Sequence, residues 1–259
     1  MTTTLAEFLE HAEVGQDVPT NWAQGRTAFG GFTSALLLRA ALGTSADLPA
    51  LRSAMINFTA PVTETPDMAI DVLRQGRNVT TLDVKARVAG KVVACGVFSF
   101  GASQISHVSD GLPAASVPVP EEAELMIPEG REAPAAFFNN FEVRLIEGNR
   151  PFAGAARGHV RIWARHRDRA SWSTPEGLMC LGDVLPPAIF VKATKPGPNS
   201  SMNWMYNVVR EDTSTRDGWY MLETDLSAAE NGYSSQVMRI WNSDGDLLVD
   251  GMQAVVTFV

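Results

Sequence analysis

Residues 31–42 read GFTSALLLRAAL, and only three polar side chains interrupt this apolar run. A helix that is apolar on nearly every side is buried on most of its sides. The pair Gly30-Gly31 precedes the run, and a glycine pair suits a turn into a helix. The stretch therefore predicts a buried helix that begins at the glycine pair.

Short runs rich in β-branched and aromatic residues follow this helix and predict strands. In the first half they cover residues 54–59, 69–74, 80–88 and 91–100. The Ala89-Gly90 step between the last two runs predicts a hairpin turn. Before the helix, apolar residues at helical spacing in residues 1–15 predict a short amphipathic helix. The first half thus combines one buried helix with several antiparallel strands.

The second half repeats the pattern of the first. A second helix is expected between Pro175 and Pro186, because proline suits the first turn of a helix and breaks its interior. Strand-like runs cover residues 138–145, 159–167, 201–210, 219–227, 232–242 and 246–259. The second helix differs from the first in carrying an acid, Asp183. We interpret the chain as a duplication in which one half kept the chemistry.

Residues 102–135 have a different composition from the two halves. Five prolines punctuate this segment, which is nearly free of aromatic side chains. Such a composition is typical of a semi-rigid linker. The sequence therefore predicts an N-terminal unit at residues 1–101, a Pro-rich linker at 102–135 and a C-terminal unit at 136–259.

Composition and charge exclude several classes of protein. The hydrophobic fraction is 45% and the charged fraction 19%, as in ordinary globular proteins. The net charge of −8 argues against a nucleic-acid binder, which needs a basic face. Because the sequence has neither a long apolar run nor a basic leader, we expect a cytoplasmic protein that does not bind membranes. The two cysteines and four histidines show no metal-ligand spacing, so no metal is expected.

Six segments, taken in order, resemble the acyl-CoA thioesterases of the thioesterase II type. They are WAQGRTAFGG at 22–31, NFTAP at 57–61, LRQGRN at 73–78, RIWAR at 161–165, LGD at 181–183 and VDGMQ at 249–253. The resemblance implies an α+β tandem (double) hotdog, in which each half is a curled antiparallel sheet wrapped around a long central helix. It also implies an acyl-CoA substrate, a place in lipid metabolism and no cofactor. We further expect a homo-oligomer.

The same resemblance implies a catalytic set of Asp183, Ser201 and Gln253. A serine stands where the family has threonine, and the residues after it differ from the family's acidic residue and histidine. A shift of one residue would give the hydroxyl role to Ser200. We add the hypothesis that the backbone N–H groups of Gly30 and Gly31 bind the thioester oxygen, because a helix N-terminus favours negative charge.

The residues around Asp183 suit the role of a general base. Its neighbours along the chain are apolar, so desolvation is expected to raise its pKa toward neutrality. The plainer alternative for this acid is a helix cap or a solvated surface residue. The rival for the whole protein is a catalytically silent acyl-CoA or lipid-binding double hotdog. A hydratase-type double hotdog is disfavoured, because it normally shows an Asp-His pair in one loop.

Overall fold

The structure, a computed structural model, describes residues 2–258. Its helices are α1 (Leu5–His11), α2 (Gly30–Leu42), α3 (Pro175–Gly182) and α4 (Ala188–Lys192). The strands of the first half are β1 (Ala23–Gln24), β2 (Thr27–Ala28), β3 (Leu51–Phe58), β4 (Asp67–Gln75), β5 (Val79–Val88) and β6 (Lys91–Gly101). Those that follow are β7 (Glu124–Leu125), β8 (Phe141–Gly148), β9 (His159–His166), β10 (Asn199–Val208), β11 (Tyr220–Glu230), β12 (Tyr233–Asn242) and β13 (Leu247–Thr257).

Within residues 2–258, eleven strands form one continuous sheet in the order β4-β5-β6-β3-β10-β13-β12-β11-β9-β8-β7. Neighbouring strands are antiparallel throughout. The two halves meet where β3 pairs with β10 and Met55 lies opposite Met205. The sheets of the two halves are therefore joined edge to edge, and the α+β class is confirmed.

The ten predicted strands correspond to β3–β6 and β8–β13, with shifts at their ends. The runs of β-branched and aromatic residues identified them, and along β5 and β12 buried side chains recur at every second position. Strand β8 begins three residues later than predicted, at Phe141, because a 3-10 helix occupies Ala136–Asn140. The predicted hairpin between β5 and β6 is confirmed, since Ala89 and Gly90 both have positive φ, at 48° and 76°.

The two longer helices of the structure pack against each other at the junction of the halves. Helix α2 also contacts β4, β5 and β6, and α3 contacts β9. The approach is close: a Cβ added to Gly31 would lie 2.2 Å from the carbonyl oxygen of Cys180. Only glycine at position 31 allows this approach without moving the backbone of α3.

The second-half helix is shorter than predicted. It ends at Gly182 after eight residues, and Asp183 follows it as the C-cap with φ −96° and ψ 5°. The prediction that Asp183 lies within this helix is therefore wrong. Pro186 and Pro187 come three and four residues later, and a proline disfavours helical geometry at the residue before it. A long central helix wrapped by its own sheet stays a prediction for each half.

The Pro-rich segment packs on the second half. Its strand β7 pairs with β8, and the indole N–H of Trp163 donates to the carbonyl oxygen of Pro118 at 2.9 Å. The indole N–H of Trp241 donates to the carbonyl oxygen of Leu112 at 2.9 Å. The division into 1–101, 102–135 and 136–259 stays a prediction. Across residues 2–258, no helix is long and apolar enough to cross a membrane.

Candidate active site

Asp183 lies where the end of α3 meets the beginning of α2. A Cβ added to Gly30, the first residue of α2, would lie 2.5 Å from Asp183 Oδ2 and 3.6 Å from Cζ of Phe58. The first-turn N–H groups of a helix have no partner within the helix and carry a partial positive charge. The carboxylate of the second half is thus set against the helix N-terminus of the first half.

Burial raises the pKa of Asp183 to about 7, from an ordinary value of 3.8. Hydrogen bonds from the Gln253 side chain and from the backbone of Gly31 oppose this shift, because they stabilise the ionised form. The desolvation comes from apolar surroundings, since neighbouring Leu181 and Val184 are buried. A carboxyl group with a pKa near 7 can accept a proton at neutral pH and return it.

Gln253 binds the carboxylate directly. Its Nε2 donates to Asp183 Oδ1 at 2.8 Å, between residues 70 positions apart in the chain. The glutamine lies on β13 and is only 3% exposed. The structure therefore brings together two of the three side chains that the resemblance placed in the site.

A second buried amide, Gln236 on β12, supports Gln253. The two glutamines lie opposite each other in the β12–β13 register. Gln236 Nε2 donates to Gln253 Oε1 at 2.9 Å, and Gln236 Oε1 accepts from the backbone N–H of Ala188 at 2.7 Å. The sequence reasoning missed Gln236. Counting back from the turn between β12 and β13 would not have found it, because a register shift between Ile240 and Trp241 is what sets Gln236 opposite Gln253.

The two candidate hydroxyls of β10 point to opposite faces of the sheet. Ser201 lies opposite Val255, two residues from Gln253 along β13, and so shares the buried face with it. Ser200 is exposed, and its hydroxyl donates to the carbonyl oxygen of Ser201 at 3.2 Å. Among residues 2–258 no hydrogen bond joins the Ser201 hydroxyl to Asp183 or Gln253. Ser201 is placed near the acid–amide pair but is not bonded to it.

Gly30 and Gly31 form the first turn of α2, as predicted. The backbone of Gly31 lowers the pKa of the Asp183 carboxyl group. Their role as donors to a substrate oxygen stays a prediction. In the part of the chain that the structure describes, no three His, Cys, Asp or Glu side chains are grouped to hold a metal ion.

The arrangement can carry out proton transfer beside an electropositive helix end. Asp183 offers a base of suitable pKa, and Gln253 fixes one of its oxygens. The other oxygen faces the N-terminus of α2. Such a set can take a proton from a water molecule while donors nearby stabilise an oxyanion.

Two family models match this sequence. The model for the acyl-CoA thioesterase N-terminal domain matches residues 18–101. The model for the acyl-CoA thioesterase C-terminal domain matches residues 113–257. Together they span both halves of the sheet. No curated protein matched the chain.

Solved structures share the fold at low identity. A protein of unknown function with a hot dog fold from Alicyclobacillus acidocaldarius has TM-score 0.84 and 23% identity, with 94% of this chain and 92% of that chain covered. The tesB protein of Mycobacterium avium subs paratuberculosis has TM-score 0.79 and 19% identity, with 98% of each chain covered. The acyl-CoA thioesterase II TesB2 of Mycobacterium marinum has TM-score 0.68 and 22% identity, with 89% of each covered. These likenesses confirm the predicted hotdog fold.

Proposed function

The chain belongs to the acyl-CoA thioesterase family, and from that membership we propose that it hydrolyses an acyl-CoA thioester to the free acid and coenzyme A. The observation that carries the proposal is the Gln253–Asp183 hydrogen bond at the N-terminus of α2. It supplies a base with a pKa of about 7 where the two halves meet. The reaction needs a base for water and a donor for the thioester oxygen, and this junction offers both.

In the proposed mechanism water attacks the thioester carbonyl carbon directly. Asp183 takes a proton from this water as the new C–O bond forms, and the carbonyl oxygen becomes an oxyanion. The positive end of α2, which begins at Gly30 and Gly31, stabilises that charge. The tetrahedral intermediate then collapses, the C–S bond breaks, and the thiolate of coenzyme A receives the proton held by Asp183. No covalent enzyme intermediate forms.

Ser201 and Gln253 hold the attacking water in this scheme. The Ser201 hydroxyl lies on the buried face that carries Gln253, which suits a water bridging the two side chains. Ser200 is exposed on the other face, so the hydroxyl role is assigned to Ser201. The acyl group would lie between the two halves, beside the apolar helix α2.

The rival is a catalytically silent acyl-CoA or lipid-binding protein of the same fold. A pure binder has no need of a carboxyl group whose pKa desolvation raises to about 7 and whose oxygen a glutamine holds in place. We also propose a cytoplasmic location, a role in lipid metabolism and a homo-oligomeric state, the last to be measured by light scattering in solution.

The deciding experiment is a thiol-release assay over acyl-CoAs of increasing chain length. It compares the parent protein with Asp183→Asn and with a control, Asp212→Asn, which changes an exposed acid outside the site. Calorimetric titration with a non-hydrolysable acyl-CoA analogue reports binding separately. We expect Asp183→Asn to lower kcat by about 10²- to 10⁴-fold, the usual contribution of a general base, with binding retained.

Three other results of these experiments would argue against the proposal. Binding by the parent without thiol release would favour the silent-binder rival. Full activity in Asp183→Asn would place the base elsewhere. A parent protein that neither binds nor hydrolyses any acyl-CoA would refute both functions.

A further inference from the structure

Three hydrogen bonds run in series from a backbone amide to Asp183. The Ala188 N–H donates to Gln236 Oε1, Gln236 Nε2 donates to Gln253 Oε1, and Gln253 Nε2 donates to Asp183 Oδ1. Their lengths are 2.7, 2.9 and 2.8 Å. Gln236 is fully buried and Gln253 is 3% exposed. The series therefore lies in a region where each polar group must find its partner within the protein.

The direction of this series is set at its backbone end. A backbone N–H can only donate, so Gln236 must turn its oxygen toward Ala188. The NH₂ group of Gln236 then faces Gln253, which accepts the hydrogen bond with its own Oε1. The NH₂ group of Gln253 is left to face Asp183. Rotating either amide by half a turn would oppose two donors or two acceptors, which is costly in a buried place.

We propose that Gln236 is a positioning residue that keeps the NH₂ group of Gln253 directed at Asp183. The inference rests on the proposed function, because the orientation matters most if Asp183 is the base. Gln236 has no hydrogen bond to Asp183 and lies away from the expected substrate position. Its role is exerted through Gln253. It also gives the first residue of α4 a part in the site, as the fixed point of the series.

The orientation of Gln253 decides which form of Asp183 it favours. An NH₂ group facing the carboxyl stabilises the ionised base, whereas a carbonyl oxygen there stabilises the protonated acid. Without Gln236 nothing prevents Gln253 from turning its oxygen toward Asp183. The ionised fraction of Asp183 at neutral pH then falls. Activity should drop at neutral pH and return at higher pH, with KM unchanged.

The test uses Gln236→Leu, Gln236→Met, Gln253→Leu and the double variant Gln236→Leu/Gln253→Leu. Ser234→Ala is the matched control, because Ser234 is a buried polar residue two positions away on β12 and its hydroxyl donates to the Val255 carbonyl oxygen. Carbon-13 NMR titration of the Asp183 carboxyl needs no turnover. The pH profile of kcat/KM for thiol release is the second readout.

We expect both Gln236 variants to move the Asp183 titration and the acidic limb of the profile upward by about one pH unit. This is the size expected from losing one hydrogen bond to a charged group. Gln253→Leu should give at least the same shift, and the double variant no more than Gln253→Leu alone, since Gln236 acts only through Gln253. Ser234→Ala should leave both curves in place.

The possible results separate this inference from the proposed function. An unshifted Asp183 titration in either folded Gln236 variant, or an equal shift in Ser234→Ala, would overturn the positioning role even if thiol release is normal. If Gln236→Leu does not fold, Gln236→Met, which is unbranched and similar in length, decides. A shifted titration in a protein that hydrolyses no acyl-CoA would uphold the positioning role and refute the hydrolase.

Discussion

Replacing Gly30 by alanine tests the meeting of the two halves at Asp183. The new Cβ would lie 2.5 Å from Asp183 Oδ2, whereas ordinary contact begins at 3.4 Å. The carboxylate must therefore retreat by about 0.9 Å, or α2 must shift by that amount. The Gln253–Asp183 bond of 2.8 Å cannot keep its geometry through such a displacement.

A misplacement of about 1 Å in a catalytic group costs roughly 10²-fold in rate, or about 2.7 kcal/mol of activation free energy. We expect Gly30→Ala to lose activity on this scale in the thiol-release assay while the protein stays folded. The matched control is Gly43→Ala, at the other end of α2, where a Cβ would meet only ordinary contacts at 3.5 Å. Parent-like kcat in Gly30→Ala would refute the claim that this contact positions the base.

Two further predictions concern the Ser201 hydroxyl and the Asp183 carboxyl group. Ser201→Ala should lower kcat about tenfold, which is the effect of losing one hydrogen bond. Ser200→Ala should leave kcat unchanged. If the two variants have equal effects in parallel thiol-release assays, the assignment to Ser201 is wrong. The pKa of Asp183, about 7 when folded, lies above its ordinary value of 3.8, so its contribution to stability is fully present below pH 3.8 and is lost as the pH rises through 7. Between pH 5 and pH 8 about two pH units lie below the folded pKa, so Asp183→Asn should become more stable relative to the parent by at most about 3 kcal/mol. Urea unfolding at both pH values that shows no such change would contradict the raised pKa.

The sheet could be predicted from sequence because its signal is local. Alternation along β5 and β12, together with the turn residues Ala89 and Gly90, specifies strands and a hairpin without knowledge of distant contacts. The apolar run of α2 is equally local, so its limits were predicted correctly. The packing of Pro118 on the second half could not be predicted in this way, because its bond to Trp163 joins residues 45 positions apart.

The site was only partly predictable. The resemblance named Asp183 and Gln253, but their hydrogen bond depends on how β13 is placed against the end of α3. The prolines predict that α3 extends toward Pro186, but the chain leaves helical geometry after Gly182, at the C-cap Asp183. Gln236 escaped notice because its role depends on two tertiary contacts, with Gln253 and with Ala188.

The asymmetry between the halves explains why the chain needs both of them. The second half supplies Asp183, and desolvation there raises the pKa of its carboxyl group. The first half supplies the N-terminus of α2. The Gly31 backbone there, together with Gln253 of the second half, limits the rise, so that the pKa is about 7. Gly30 and Gly31 permit this meeting because a side chain at either position would collide with the end of α3 or with its cap. The raised pKa of Asp183 is thus a property of the junction, because groups from both halves set it.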